Sequence, residues 1–225
     1  MKAVIFDLFE TLVTEWGRPK YTTREIAQDL DVAYESFRRE WRLLHNDSYL
    51  GKLSAIQAYK TVLDRLGVTR DEALLHEIVR KRDACKRKCF EAIAPEIIGM
   101  LSSLRDSGCK IALISNCSDE EIAGLRDSGL YPCFDAVVLS CEVGLVKPDV
   151  EIYAHCLSML KEEPPDCFYV GDGGSDELNG AQKAGMVPLK ALWFIKHFVP
   201  NYDADPKFPA FLEPSECTAF IRSRI

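Results

Sequence analysis

The sequence has no long hydrophobic run. Its 225 residues contain no apolar stretch near the roughly 18 residues that a membrane-spanning helix needs. The apolar run next to the N-terminus is interrupted by Asp7 and is too short for a secretory signal. We therefore expect no membrane partner and a cytoplasmic location.

The sequence also has no CxxC pair, although it has nine cysteines. A secreted protein of this size would be expected to have an even number of cysteines in disulfides, so an odd number predicts reduced thiols. Cys85 and Cys89 are four residues apart, but they share helical spacing with Leu75, Ile78 and Arg82. This pattern favours buried thiols on one helix face over metal ligands.

Positive charge is not in excess. The chain has 28 Lys and Arg against 35 Asp and Glu, a net charge of -7, which argues against broad nucleic-acid binding. Basic residues concentrate in Arg80-Lys81-Arg82 and Lys86-Arg87-Lys88 on one predicted helix. We interpret this run as a solvated helix face.

Short apolar runs that end in polar residues recur along the chain and predict buried strands at 3–8, 110–115, 135–140, 167–171 and 190–194. Helical patterns lie between them. One begins at Pro95, one is predicted from a capping box at Ser118–Glu121, and one covers Ile152–Leu160. The alternation predicts an α/β fold with a Rossmann-like, doubly wound parallel sheet.

Residues 14–92 interrupt this alternation. They predict helices near 22–31, 34–47, 52–66 and 71–90, without a strand. The expected organisation is a catalytic core of residues 1–13 and 93–225 with an all-helical cap of residues 14–92 inserted after the first strand. The segment 198–214 contains four prolines and predicts a coil that leads to a short terminal helix.

Three polar residues end predicted strands: Asp7, Ser115 and Asp172. Parallel sheets bind ligands at this edge. Four local motifs surround them, in the order FDLFETL (6–12), ISN (114–116), VKPD (146–149) and VGDGGSDE (170–177). Together they resemble the four signature motifs of the haloacid dehalogenase superfamily, and the helical insertion falls where that family has its cap.

The resemblance implies a hydrolase in which Asp7 attacks the substrate and forms a covalent intermediate. Hydroxyls would hold substrate oxygens, and a lysine would neutralise the nucleophile and an anionic substrate. The expected catalytic residues are Asp7, Thr11, Ser115, Asn116 and Lys147. The expected cofactor is Mg²⁺. Its expected ligands are Asp7, the backbone oxygen of Phe9, Asp172, Asp176 and Glu177.

Phe9 departs from the phosphatase pattern. Phosphatases of the superfamily have a second Asp there, which protonates the leaving group, and loss of such an acid typically lowers the rate by ~10²–10⁴. Dehalogenases of the superfamily also lack it, but they lack an acid at the position of Asp172 as well. The leading hypothesis is a Mg²⁺-dependent phosphatase for a small phosphorylated substrate. The alternatives are a metal-independent 2-haloacid dehalogenase and a nearly inactive ligand-binding homologue.

The cap offers replacements for the missing acid. A lysine could form an imine with the substrate, as in phosphonate-cleaving relatives, although we interpret these lysines as solvated. His45 could exchange protons near neutral pH. Arginines on the same predicted helix could bind a carboxylate or phosphate. The candidates are Lys52, Lys60, His45, Arg38, Arg39 and Arg42.

Overall fold

The computed structural model describes residues 2–198 and 207–225. Its centre is a six-stranded sheet in the order β3-β2-β1-β4-β5-β6, and every adjacent pair is parallel. The strands are β1 (Ala3–Phe6), β2 (Lys110–Ser115), β3 (Ala136–Leu139), β4 (Cys167–Gly171), β5 (Val187–Ala191) and β6 (Ala210–Phe211). The predicted α/β fold is confirmed.

Helices cover both faces of the sheet. They are α5 (Pro95–Asp106), α6 (Ser140–Val143), α7 (Val150–Leu160), α8 (Glu177–Lys183) and α9 (Pro214–Arg222). Successive residues of β1 point to opposite faces: Val4 and Phe6 belong to the hydrophobic cluster that includes α5 and α9. Ala3 and Ile5 belong to the cluster that includes α7 and α8. This double burial explains why the strand is continuously apolar.

Four helices lie between β1 and α5. They are α1 (Thr23–Asp29), α2 (Tyr34–Tyr49), α3 (Ala55–Arg65) and α4 (Glu72–Glu91). Capping boxes at Thr22 and Ser54 begin α1 and α3, and the Asp71 side chain caps α4. These helices share a hydrophobic cluster of their own, built around Phe37 and Tyr59. The four predicted helices are confirmed to within a few residues, while the domain boundaries stay a prediction.

The prediction of a helix that begins at Ser118 is wrong. Residues 119–130 form turns, even though the Ser118 N–H donates to Glu121 Oε2 at 3.1 Å as in a capping box. Glu120 and Glu121 instead form ion pairs with basic residues of α4, at 2.7 Å from Arg82 Nε and 3.3 Å from Lys86 Nζ respectively. Tertiary ion pairing therefore replaces the local helix at this position.

The boundaries near the C-terminus also differ from prediction. The strand predicted at 190–194 begins at Val187 and ends at Ala191. Part of the predicted coil at 198–214 lies outside the described residues, and the part from residue 207 onward contains the unpredicted two-residue strand β6. The terminal helix is confirmed as α9.

No helix in residues 2–198 and 207–225 combines the length and apolarity needed to cross a membrane. All nine cysteines lie among the described residues, and none of them forms a disulfide bond.

Candidate active site

The carboxyl ends of three adjacent strands form the candidate site. Asp7 directly follows β1, and its N–H donates to Val170 O of β4 at 2.9 Å. Ser115 ends β2, and Asp172 directly follows β4. Because β1 lies between β2 and β4, all three side chains line one cavity of about 220 Å³, which we call the Asp7 cavity.

Lys147 is the cation at the centre of this site. Its Nζ donates hydrogen bonds to Asp7 Oδ1 and Glu177 Oε2 and lies 3.1 Å from Tyr169 Oη. Only 3% of its side chain is exposed. Burial alone would lower the pKa of Lys147, but the Asp7 and Glu177 carboxylates outweigh that effect and raise it. The ammonium group is therefore charged at neutral pH.

Asn116 fixes the backbone that carries this lysine. Its Nδ2 donates to Lys147 O at 2.9 Å, and its Oδ1 accepts from Lys147 N at 2.8 Å. The Asn116 side chain therefore links the end of β2 to the loop before α7.

The Glu177 carboxylate is also fixed by hydrogen bonds. Tyr169 Oη donates to its Oε2 at 2.8 Å, and Gly173 N donates to its Oε1 at 3.2 Å. A Cβ atom at Gly171 would lie 2.1 Å from Glu177 Oε1, so only glycine leaves room for this carboxylate.

Three acids converge on the site. One carboxylate oxygen from each of Asp7, Asp172 and Glu177 lies within 4.8 Å of the other two. Burial, followed by repulsion from Asp7, raises the pKa of Asp172 and raises that of Glu177 to about 8. The single ammonium group of Lys147 does not balance the negative charge of three carboxylates. A divalent cation bound by oxygen ligands would balance it.

Two hydroxyls complete the site. Thr11 Oγ1 donates to Asp7 Oδ2 at 3.3 Å. Ser115 is 1% exposed, and among the described residues its hydroxyl has no hydrogen-bond partner. A buried hydroxyl without a partner in a cavity wall is available to bind a ligand oxygen.

Sequence comparison identifies the family. A model of the haloacid dehalogenase-like hydrolases matches residues 1–185. The chain belongs to this family. The glyceraldehyde 3-phosphate phosphatase of Methanopyrus kandleri is 33% identical over 198 residues, which cover 84% of this chain and 83% of that protein. The N-acylneuraminate-9-phosphatase of Homo sapiens is 26% identical over an alignment of 246 positions, gaps included, that covers 96% of each chain.

Structural comparison agrees with the family assignment. The crystal structure of a 2-haloacid dehalogenase from Pseudomonas syringae pv. Tomato DC3000 superposes with a TM-score of 0.68 at 21% identity, covering 100% of this chain and 99% of that one. At this identity the likeness shows the shared fold. The family match over residues 1–185 confirms the membership that the four motifs predicted.

Seven of the nine expected site residues line the Asp7 cavity. Thr11 does not line it but is fully buried and contacts Asp7, whereas Asp176 lies outside the site. Both Ser175 and Asp176 have a φ of 53°, and this left-handed pair directs Asp176 outward while Glu177 is buried. Asp176 is exposed and accepts a hydrogen bond from Asn179 Nδ2. Phe9 does line the cavity, and its ring packs edge-on against Phe90 with centroids 6.3 Å apart.

Several residues of the hydrolase line the cavity without having been predicted from the sequence, Lys86 above all. Its side chain is 10% exposed, and its Nζ lies 2.7 Å from Glu15 Oε1 and 4.6 Å from the centroid of the Phe9 ring. The interpretation of the α4 basic run as a solvated face is therefore wrong for Lys86 and for the similarly buried Arg82. The helical spacing that places Arg82 on the same face as Leu75 and Ile78 could have predicted that Arg82 is buried. The other missed residues are Glu10, Glu15, Tyr49 and Glu121.

The cap residues proposed to replace the missing acid lie elsewhere in the hydrolase. The His45 ring packs against Tyr49 with centroids 4.2 Å apart and lines a separate small cavity. Arg38 and Arg39 form surface ion pairs with Glu35 and Glu40, and the two lysines form ion pairs with Asp47 and Glu72. None of Lys52, Lys60, His45, Arg38, Arg39 and Arg42 lines the Asp7 cavity.

Proposed function

We propose that this hydrolase is a Mg²⁺-dependent phosphatase that acts on a small phosphorylated substrate in the cytoplasm. The observation that supports this most strongly is the convergence of the acids Asp7 and Asp172 with the cation Lys147 in one cavity. Relatives named as phosphatases, one of them 33% identical, support the same chemistry.

Asp7 is the proposed nucleophile. One of its oxygens attacks the phosphorus atom, the bond from phosphorus to the leaving-group oxygen breaks, and an aspartyl phosphate forms. Water then attacks phosphorus, the bond from phosphorus to the Asp7 oxygen breaks, and inorganic phosphate leaves as the Asp7 carboxylate is restored. Lys147 and Thr11 each bind one Asp7 oxygen and so fix the direction of attack.

The charge of the cavity supports a metal requirement. Six carboxylates and two ammonium groups line it, so a phosphate dianion would enter a strongly negative field. Asp7, Asp172 and the Phe9 backbone oxygen would hold Mg²⁺, a set of few oxygen ligands that suits this ion. When bound, Mg²⁺ would neutralise charge on the transferring phosphoryl group. Glu177 is a further ligand or, through its ion pair, the group that positions Lys147.

Two further residues bind the phosphoryl group or position Lys147. The free Ser115 hydroxyl donates to a phosphoryl oxygen, and Asn116 holds Lys147 in place through two backbone hydrogen bonds. We propose that the cap, residues 14–92, closes over the cavity and sets the specificity.

Phe9 favours a second candidate, a metal-independent hydrolase that acts at carbon. Phenylalanine cannot give a proton to a leaving group, and a halide needs none. Asp172 argues against this candidate, because its carboxylate would repel a halocarboxylate substrate near Asp7. The two candidates differ in their response to a chelator.

An aryl phosphate with an acidic phenol leaving group gives the test, because its departure needs little protonation. Hydrolysis should require Mg²⁺, stop with chelator and be lost in Asp7→Asn. The matched control is Asp106→Asn, which changes an acid at the end of α5 away from the Asp7 cavity. Hydrolysis that continues in chelator or in Asp7→Asn would contradict the proposal, and turnover of 2-haloacids in chelator would favour the second candidate.

A further inference from the structure

Two of the nine cysteines meet at the carboxyl ends of neighbouring strands. Cys117 lies two residues past the end of β2, and Cys141 is the second residue of α6, which directly follows β3. Because β2 and β3 are adjacent and parallel, the two side chains come together, and their sulfur atoms lie 4.0 Å apart. Asn116, which precedes Cys117, lines the Asp7 cavity. The thiol pair therefore lies next to the candidate active site.

Hydrogen bonds hold the two thiols in this arrangement. The Cys117 N–H donates to Ser140 Oγ at 3.0 Å, and the Ser140 hydroxyl donates to Cys117 O at 3.2 Å. Since Ser140 precedes Cys141, these bonds tie the backbone at residue 117 to the start of α6. A disulfide bond has a sulfur–sulfur distance of ~2.05 Å, so the two sulfur atoms need to approach by about 2 Å to form one.

The two thiols differ in their access to solvent. Cys117 is fully buried, whereas Cys141 is partly exposed, so an oxidant from solvent reaches Cys141 first. The hydrogen bond with the Cys117 thiol lowers the pKa of Cys141, although burial opposes this effect. A lower pKa raises the fraction of thiolate, which is the form that reacts with peroxides.

We propose that Cys117 and Cys141 form a redox site: hydrogen peroxide oxidises the pair to a disulfide, and the disulfide lowers the phosphatase activity. The second part rests on the proposed function. The Cys141 thiolate attacks one peroxide oxygen, the oxygen–oxygen bond breaks, and a sulfenic acid forms as hydroxide leaves and takes up the thiol proton. The Cys117 sulfur then attacks the Cys141 sulfur, the sulfur–oxygen bond breaks, and water leaves with the Cys117 proton. The two thiols lose two electrons in total, and one hydrogen peroxide becomes two waters.

The disulfide acts on the site through residues 115–117. The backbone of Gly51 packs against α6 so closely that a Cβ atom there would lie 1.9 Å from Cys141 O, and this packing restrains α6. We therefore expect residues 115–117 to take up much of the movement. They carry the Ser115 hydroxyl and the Asn116 side chain, which fixes the backbone of the catalytic lysine. Since a displacement of ~1 Å can lower a rate by about 10²-fold, kcat should fall at least about tenfold on oxidation.

Peptide mapping of the oxidised protein tests the first part without any turnover. The full chain is treated with a small molar excess of hydrogen peroxide, its free thiols are alkylated, and its peptides are analysed without reduction. Residues 117 and 141 should be joined, and dithiothreitol should release them. Cleavage before Asp135 separates Cys133 from Cys141 and so identifies the partner of Cys117. Any result in which residues 117 and 141 are not joined overturns the inference.

Hydrolysis of the aryl phosphate tests the second part. In the wild-type protein, peroxide should lower kcat at least about tenfold, and dithiothreitol should restore it. Cys141→Ser should keep the basal rate and resist peroxide, whereas the matched control Cys133→Ser, which removes another partly exposed thiol, should stay as sensitive as wild type. Equal sensitivity of wild type and Cys141→Ser, or a disulfide that leaves kcat unchanged, would overturn the effect on activity. If the reduced protein hydrolyses no aryl phosphate, the proposed function fails, and peptide mapping still decides whether the pair is oxidised.

Discussion

Replacing Lys147 with methionine removes the one ammonium group that pairs with both Asp7 and Glu177 and keeps most of the side-chain volume. Glu177 is 1% exposed and Asp7 is 7% exposed, so the carboxylates left behind are poorly solvated. Removal of one partner of a buried ion pair typically lowers the free energy of unfolding by about 3–5 kcal/mol. At ~2–4 °C per kcal/mol for a chain of this size, the melting temperature should fall by roughly 6–20 °C.

This loss should depend on pH. Burial, with repulsion from Asp7, already raises the pKa of Glu177 to about 8, and removal of Lys147 takes away an attraction that opposes the rise. An acid with a raised pKa binds more protons in the folded than in the unfolded state between the two pKa values. The stability of both proteins should therefore fall as pH rises from about 4.5 toward 8. The stability of Lys147→Met should keep falling above pH 8, where Glu177 of the wild type is already ionised, so the two proteins should differ least at low pH.

Urea unfolding at pH 5.5 and pH 8.5 measures the effect. Lys183→Met, which changes an exposed lysine near the end of α8, is the matched control and should stay within ~0.5 kcal/mol of wild type. The double variant Lys147→Met/Glu177→Gln should recover part of the loss, because the unpaired charge at residue 177 is gone. A Lys147→Met protein as stable as the Lys183→Met control at pH 8.5 would refute this account of the ion pairs.

Three further predictions concern residues around the cavity. Asn116→Ala should lower kcat for the aryl phosphate by roughly 10-fold or more, since about 1–3 kcal/mol of hydrogen bonding to the Lys147 backbone is lost; an unchanged kcat would show that Lys147 needs no such support. Phe9→Asp should raise the ratio of alkyl to aryl phosphate turnover by at least ~10-fold by supplying a proton donor, whereas Phe9→Asn should not. Burial favours the neutral form of Glu121, but Lys86 and Arg82 outweigh it and lower the pKa of this carboxyl; its stabilising effect should be present above pH ~4.5 and lost as pH falls further. Glu121→Gln should therefore destabilise the protein at pH 7 more than at pH 4 in urea unfolding, and equal effects would contradict this assignment.

The sequence predicted the parts of the fold that depend on local pattern and double burial. Residues 3–6 are apolar because helices cover both faces of β1, and this pattern is visible without a structure. The positions of Asp7, Ser115 and Asp172 at one edge follow from their places at the carboxyl ends of parallel strands, whereas the strand order that makes them neighbours is seen only in the structure.

The sequence did not predict features that depend on tertiary contacts or on backbone handedness. Only one bond of the predicted capping box forms, from Ser118 N–H to Glu121, and Glu120 and Glu121 form ion pairs with α4 where the sequence predicted the first turn of a helix. The choice of Glu177 over Asp176 as the buried acid depends on the left-handed backbone at Ser175 and Asp176, which residue type does not specify.

The proposed mechanism requires that Asp7 becomes phosphorylated during turnover. The most direct measurement is an acid quench of the Mg²⁺-loaded protein during aryl phosphate hydrolysis, followed by borohydride reduction and peptide mass analysis. An aspartyl phosphate at Asp7 is reduced to homoserine, so the account predicts homoserine at residue 7 in the wild-type protein and none without substrate. Steady release of phosphate with an unmodified aspartate at residue 7 would contradict it.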